Sequence, residues 1–120
     1  MILVDTSAWI SHLRSGDARL VEMLEGDRVV TCDIVVGEIE LGVGLSKTIA
    51  ELFDMLPRVP SPTSARTLAF VRRRRSVFSS SGVGWADAQI VVAAMEAGAL
   101  VHSTDGPLSR VWRRLGFRLP

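Results

Sequence analysis

Apolar positions along the chain change their period repeatedly, and each change marks an element. Ile2-Leu3-Val4 is an unbroken apolar run that ends abruptly in Asp5-Thr6-Ser7. A run of that kind predicts a buried strand. Apolar residues at helical spacing follow from Ala8-Trp9-Ile10 to Leu13, with Thr6 or Ser7 positioned to cap the helix. Ser15-Gly16-Asp17 reads as a break and a fresh cap, after which Leu20, Val21 and Leu24 carry a second helix over Ala18 to Glu25, stopped by Gly26. Arg28 to Cys32 is short and β-rich, a second strand, and Asp33 then stands to cap a helix from Ile34 to about Val43. Ser46 to Met55 predicts another.

Pro57, Pro60 and Pro62 exclude a helix from the next stretch and leave room for a short edge strand around Arg58 and Val59. Thr63 to about Ser79 predicts a long helix, Ser79 to Gly84 a flexible loop, and Trp85 to Ala97 an alanine-rich helix closed by Gly98. Ala99 to Ser103 reads as a third clear strand. Pro107 opens a helix to about Leu115, and Gly116 releases a last strand, Phe117-Arg118-Leu119. Strands alternating with helices require crossover connections, so the expected fold is α/β, with a central parallel sheet of four to five strands flanked by helices on both faces.

Composition narrows this little. A chain of 120 residues that is 48% hydrophobic can fill one core, so a single domain over residues 1–120 is expected and a disordered chain is not. The net charge of +1 argues for no partner, although Arg72 to Arg75 are consecutive and Arg110, Arg113, Arg114 and Arg118 cluster near the end. Cys32 is the only cysteine, which rules out an internal disulfide and fits a reducing compartment. With no apolar segment near the roughly 20 residues of a membrane span, the expectation is a cytoplasmic protein without a membrane role.

Candidate chemistry lies in carboxylates. Two strands end in aspartate, Asp5 and Asp105; either alone is an ordinary cap or turn residue. Turning about 100° per residue from Ile34 sets Glu38 in an arc of Ile34, Val35, Leu41 and Gly42, and sends Glu40 to the solvent side. The same construction from Ala86 surrounds Asp87 with Ile90, Val91, Ala94 and Ala97. Inward carboxylates need cations, protons or a metal. Arginine pairing or capping would serve Asp87, whereas no inward-facing cation stands near Glu38. A cluster of Asp5, Glu38, Asp87 and Asp105 would repel itself unless a divalent cation sat among them, and an all-oxygen donor set specifies Mg²⁺ or Mn²⁺.

Ile2 to Ile10, Val36-Gly37-Glu38-Ile39-Glu40-Leu41-Gly42, Trp85-Ala86-Asp87-Ala88-Gln89-Ile90 and Ser103-Thr104-Asp105 together resemble the PIN-domain ribonucleases, most closely the VapC toxins of bacterial VapBC toxin–antitoxin modules. The resemblance runs the whole chain and keeps the order of motifs. It implies a PIN-like fold with the first strand central, and a metal site of Asp5, Glu38, Asp87 and Asp105 for one or two Mg²⁺ or Mn²⁺ ions, with Thr6 and Ser7 supporting it. Ser103 stands where these toxins carry a Thr or Ser that holds a metal-bound water. The implied activity is Mg²⁺-dependent endoribonuclease, hydrolysing RNA by metal-activated water to 5′-phosphate and 3′-hydroxyl products. The implied partners are RNA, a cognate VapB-like antitoxin that inhibits the enzyme, and a second copy in a homodimer. One departure is Gly106-Pro107 after Asp105, where a charged-aromatic continuation is usual.

Other residues admit two readings. Arg73 and Arg74, with Trp85, could contact RNA by phosphate pairing and base stacking, or form a solvated, partly snorkelling face. His12 and His102 read as structural, Trp9 and Trp112 as core, and Cys32 as a small core residue. Two other functions compete with the nuclease. A catalytically silent PIN-like RNA-binding or regulatory module is opposed by the presence of all four acids. A receiver or aspartyl-phosphatase domain is opposed by Thr6-Ser7 after Asp5 and by Lys47 as the only lysine.

Overall fold

In the computed structural model, which describes residues 1–120, the first strand, β1 (Ile2–Val4), is the middle of a parallel sheet. Its neighbours are β2 (Val29–Val30) and β3 (Leu100–His102), in register Ile2 with Val29 on one side and Leu3 with Val101 on the other. All three β1 residues are buried, as a central strand covered on both faces must be. Between β1 and β2 run α1 (Thr6–Ser15) and α2 (Ala18–Glu25). Between β2 and β3 run α3 (Asp33–Leu41), α4 (Lys47–Met55), α5 (Ser64–Arg73), α6 (Arg75–Phe78) and α7 (Trp85–Ala97); α8 (Gly106–Arg114) follows β3. α3 packs on both α1 and α7, and α7 packs on β3.

The sheet has three strands, fewer than the four to five expected. Arg58 reaches it only as an isolated bridge to Thr31: Val59 N donates to the Thr31 carbonyl at 2.8 Å and Thr31 N to the Pro57 carbonyl at 3.0 Å. Pro57 and Pro60 have no N–H to extend that ladder. Residues 117–119 form no strand because they fold back on α8. Phe117 stacks on Trp112 with ring centroids 4.3 Å apart, and Trp112 Nε1 donates to the Arg118 carbonyl at 2.9 Å.

Three further expectations are corrected. The cap of α1 is Asp5 rather than Thr6 or Ser7, and Cys32 rather than Asp33 precedes α3. Asp33 instead pairs with Arg58 at 3.0 Å. The predicted helix over 63–79 breaks at Arg74 (φ −115, ψ 32), whose N–H closes α5 on the carbonyls of Phe70 and Val71. That turn lets Val77 and Phe78 enter the core, Phe78 meeting Phe70 edge-on at 6.0 Å. Gly98 ends α7 as expected, in the left-handed region (φ 69) that a side chain disfavours.

Twenty-six buried residues form one connected core. Trp9 and Trp112 are its largest members, both fully buried, and Cys32 lies within it. The two indoles differ: Trp112 Nε1 is bonded, whereas Trp9 Nε1 has no hydrogen-bond partner and packs edge-on to Phe53 at 4.8 Å. An unpaired buried N–H costs about 1–3 kcal/mol, so removing it offsets part of the volume lost. Trp9→Phe is therefore expected to cost about 1 kcal/mol less than Trp112→Phe, which also orphans the Arg118 carbonyl. Urea unfolding of the two variants at neutral pH checks the order.

Candidate active site

Strand order β2-β1-β3 sends the chain to one side of β1 and then across to the other. The carboxyl end of β1 is thus a topological switch point, where a crevice opens between diverging connections. Asp5 sits at that end and is 1% exposed. Its backbone N–H donates to the His102 carbonyl at 3.0 Å, tying it to β3. Its Oδ1 accepts from Ala8 N and from Ser7 Oγ, each at 2.9 Å, and its Oδ2 accepts from Ser103 Oγ at 2.5 Å. Burial pushes the Asp5 carboxyl upward and outweighs these donors, of which Ser103 counts most; repulsion from Asp105 adds to the rise.

The other acids reach the crevice from separate elements. Glu38, half-buried on α3, accepts a hydrogen bond from Thr6 Oγ1 at 2.6 Å. Glu40 is exposed and accepts from Leu45 N, so the expected inward choice of Glu38 over Glu40 holds. The arc itself differs: Val35 and Ile39 are the buried positions of α3, and Leu41 is 90% exposed. Asp87 lies half-buried in the first turn of α7, and its carboxyl is pushed up to about 6. Burial is the main cause, followed by repulsion from Glu38, Asp5 and Asp105 in turn. Asp105 precedes α8, makes no capping bond with its side chain, and donates its N–H to Ser103 Oγ at 2.9 Å.

Two hydroxyl chains therefore end on Asp5. One runs from Asp105 N through Ser103; the other runs from Thr104 Oγ1 through Ser7 at 3.2 Å. Thr104 was not singled out by sequence reasoning, since a threonine in a turn gives no local sign of reaching residue 7. The same holds for the pair behind the site, His102 Nε2 and Asp17 Oδ2 at 3.1 Å. His102 is the first cause holding the Asp17 carboxyl below its usual range, and Asp17 N donates to His12 Nδ1, so both histidines are structural.

No arginine or lysine neutralises the four acids. The ion pairs of the molecule are Arg58–Asp33, Arg66–Glu96 and His102–Asp17. The charge deficit and the all-oxygen donors fit a hard divalent cation. As placed, however, no three Asp, Glu, His or Cys side chains are gathered tightly enough to hold one ion. Like charges keep apart, and a bound cation would draw the acids closer.

The residues suggested for RNA contact line two other hollows or stand exposed. Trp85 is 47% exposed and two residues before Asp87, a separation that turns it to another side of α7. There it lines an apolar hollow of about 290 Å³ with Val71, Arg75, Phe78 and Val83. Arg73 lies along a groove with Arg66 and Glu96, and Arg74 is exposed at the break between α5 and α6.

The PIN domain family matches residues 2–113, nearly the whole chain. The chain belongs to the PIN-domain family. Ribonuclease VapC32 of Mycobacterium tuberculosis, from two strains, is 36% identical over 121 residues, covering 99% of this chain and 96% of that protein. The crystal structure of FitAcB from Neisseria gonorrhoeae superposes with a TM-score of 0.64 at 25% identity, covering 92% of this chain and 93% of that one. PAE2754 from Pyrobaculum aerophilum shares the fold with a TM-score of 0.62 at 15% identity, covering 92% of this chain and 78% of its own. A PIN domain with VapC relatives is thus what the resemblance predicted.

The raised carboxyls have a consequence for stability. Asp87 moves from 3.8 to about 6 on folding, so the folded state binds its proton more tightly than the unfolded chain does. That contribution is complete below about pH 4 and is lost as pH rises through about 6. The shift corresponds to about 3 kcal/mol at most, reduced to about 1–2 kcal/mol for a carboxylate that is partly solvated. With metal chelated, Asp87→Asn should exceed the parent in stability by that amount at pH 7.5 and match it at pH 4. Chemical denaturation at the two pH values measures the difference; an equal gap at both would contradict the charge argument.

Proposed function

We propose that this PIN-domain protein is a Mg²⁺-dependent endoribonuclease, the toxin of a type II toxin–antitoxin pair, with Mn²⁺ able to replace Mg²⁺. The observation that carries the reading is the repulsion that Glu38, Asp5 and Asp105, acids from separate elements, exert on Asp87, with no arginine or lysine paired to any of the four. The 36% identity to a protein named as a ribonuclease supports RNA as the substrate. An antitoxin that covers the acids with a basic side chain would meet the same charge deficit, and a homodimer completes the assembly expected of VapC toxins.

Asp5, Glu38, Asp87 and Asp105 would hold the cation. Bound there, it supplies Lewis acidity, lowering the pKa of a water and offsetting charge on the phosphoryl oxygens. The protein's own work is positional. Ser7, Ser103 and the Ala8 amide fix the Asp5 carboxylate, and Thr6 turns Glu38 Oε1. The Asp87 carboxylate, with a pKa near 6 before any cation binds, stands closest to the neutral range that suits a group taking a proton from the attacking water. The separation of the acids is the one observation favouring the second reading, a PIN-like RNA-binding or regulatory module that does not cut.

Purified protein is expected to cleave single-stranded RNA with Mg²⁺ or Mn²⁺ and to stop in chelator. Asp5→Asn and Asp87→Asn should each lose more than about 100-fold in kcat/KM, Thr6→Val about 10–100-fold, and Glu40→Gln almost nothing. Cleavage that persists in chelator, or undiminished in Asp87→Asn, would overturn the assignment.

A further inference from the structure

A groove of about 190 Å³ is lined by Ser80, Ser81, Pro107, Arg110, Val111 and Arg114. Its walls come from the loop before α7 and from α8, the helix that follows Asp105. Arg110 and Arg114 are four residues apart on α8, so their side chains share a face and repel one another. Neither pairs with a carboxylate, the ion pairs of the protein being elsewhere. Arg114 Nη2 donates to the Ser76 carbonyl at 3.3 Å, which ties its guanidinium to α6 beside the groove. Arg110 lies over the backbone of Gly106, its Nη1 only 3.0 Å from where a Cβ would stand.

The opposite wall is held in place at a cost. Ser80 adopts the left-handed region (φ 58), worth about 1–2 kcal/mol of strain for a residue with a Cβ. Gly82 brings the same loop against Pro107, 3.7 Å from where its Cβ would be. Two guanidiniums without carboxylate partners share the groove lining with Ser80 and with Ser81, whose Oγ accepts from Val83 N at 3.1 Å and keeps its own proton to donate; that set suits a tetrahedral oxyanion, since arginine forks match phosphate geometry. Arg110 lies five residues beyond Asp105, about 7.5 Å along the helix axis, so one RNA strand can span both places.

We propose that the groove of Arg110, Arg114, Ser80 and Ser81 binds a backbone phosphate of the RNA strand next to the acidic crevice. It holds the substrate without touching the reacting atoms; its placement beside a scissile bond rests on the nuclease reading. The test uses the full chain carrying Asp87→Asn, so that RNA survives, and follows the anisotropy of a labelled single-stranded oligoribonucleotide against salt at fixed Mg²⁺. Adding Arg110→Ala should weaken binding about 5–10-fold at low salt and reduce the slope of log affinity against log salt by about 0.7, the change for one single-strand phosphate contact. Arg110→Lys should keep most of the slope. Arg113→Ala, on the same helix outside the groove, should change neither. In the otherwise unaltered chain, Arg110→Ala should raise KM and leave kcat within twofold. Affinity and slope unchanged in both Arg110→Ala and Arg114→Ala, with melting temperatures retained, overturn the proposal. Loss of antitoxin binding with RNA binding intact also overturns it, assigning the groove to a protein instead. Arginine-dependent RNA binding by a chain that cuts nothing would remove the nuclease reading and leave this site standing.

Discussion

The structure turns on one buried carboxylate. Asp5 ends the central strand, where burial disfavours its charge, and the fold answers with an amide and two hydroxyls drawn from α1 and from the end of β3. The Ala8 amide is one of the donors every helix leaves open at its start, so the bond that caps α1 also anchors the acid. Because Asp5 N is bonded to the His102 carbonyl, the position of the acid and the pairing of β1 with β3 are one constraint. A side chain fixed in this way has little freedom to relax from its neighbours' charge.

That rigidity explains where the electrostatic strain appears. Asp5 keeps donors on both oxygens, and Glu38 has one from Thr6. At Asp87 burial and repulsion from the other three acids outweigh one backbone hydrogen bond from Gly84, and its carboxyl is pushed up to about 6. Helix α7, rich in small side chains and buried along most of its length, packs against α3 and β3 closely enough to bring this acid in. The charge deficit is therefore built by packing and would be relieved by any cation that enters, whether a metal ion or a basic side chain of a partner. On α8, which follows Asp105 directly, the charge reverses at Arg110 and Arg114.

Much was legible along the chain because it depends on near neighbours. Helix periods, the cap at Asp17, the Gly98 stop and the apolar strand before Asp5 are set by residues within a turn of one another. The preference for Glu38 over Glu40 followed from helical rotation alone, and the ordered motifs around the four acids carried the PIN resemblance that the family match bears out. Local period could not see the break at Arg74, since the apolar spacing of 63–79 continues through it; the core's demand for Val77 and Phe78 decided the turn. Nor could it show that Phe117 would stack on Trp112 instead of extending the sheet, because an apolar residue after a glycine suits either outcome.

The sequence by itself thus determined which elements form, which strand would be buried and which acids would point inward, all consequences of local sterics and periodicity. Only the tertiary structure decided that Ser7, Thr104 and Ser103 would meet on Asp5, that Trp85 would turn to a different face from Asp87, and that Arg110 and Arg114 would line one groove with Ser80 and Ser81. Those encounters join residues far apart in the chain, where spacing carries no distance information, and they are fixed by how helices pack around a three-stranded sheet.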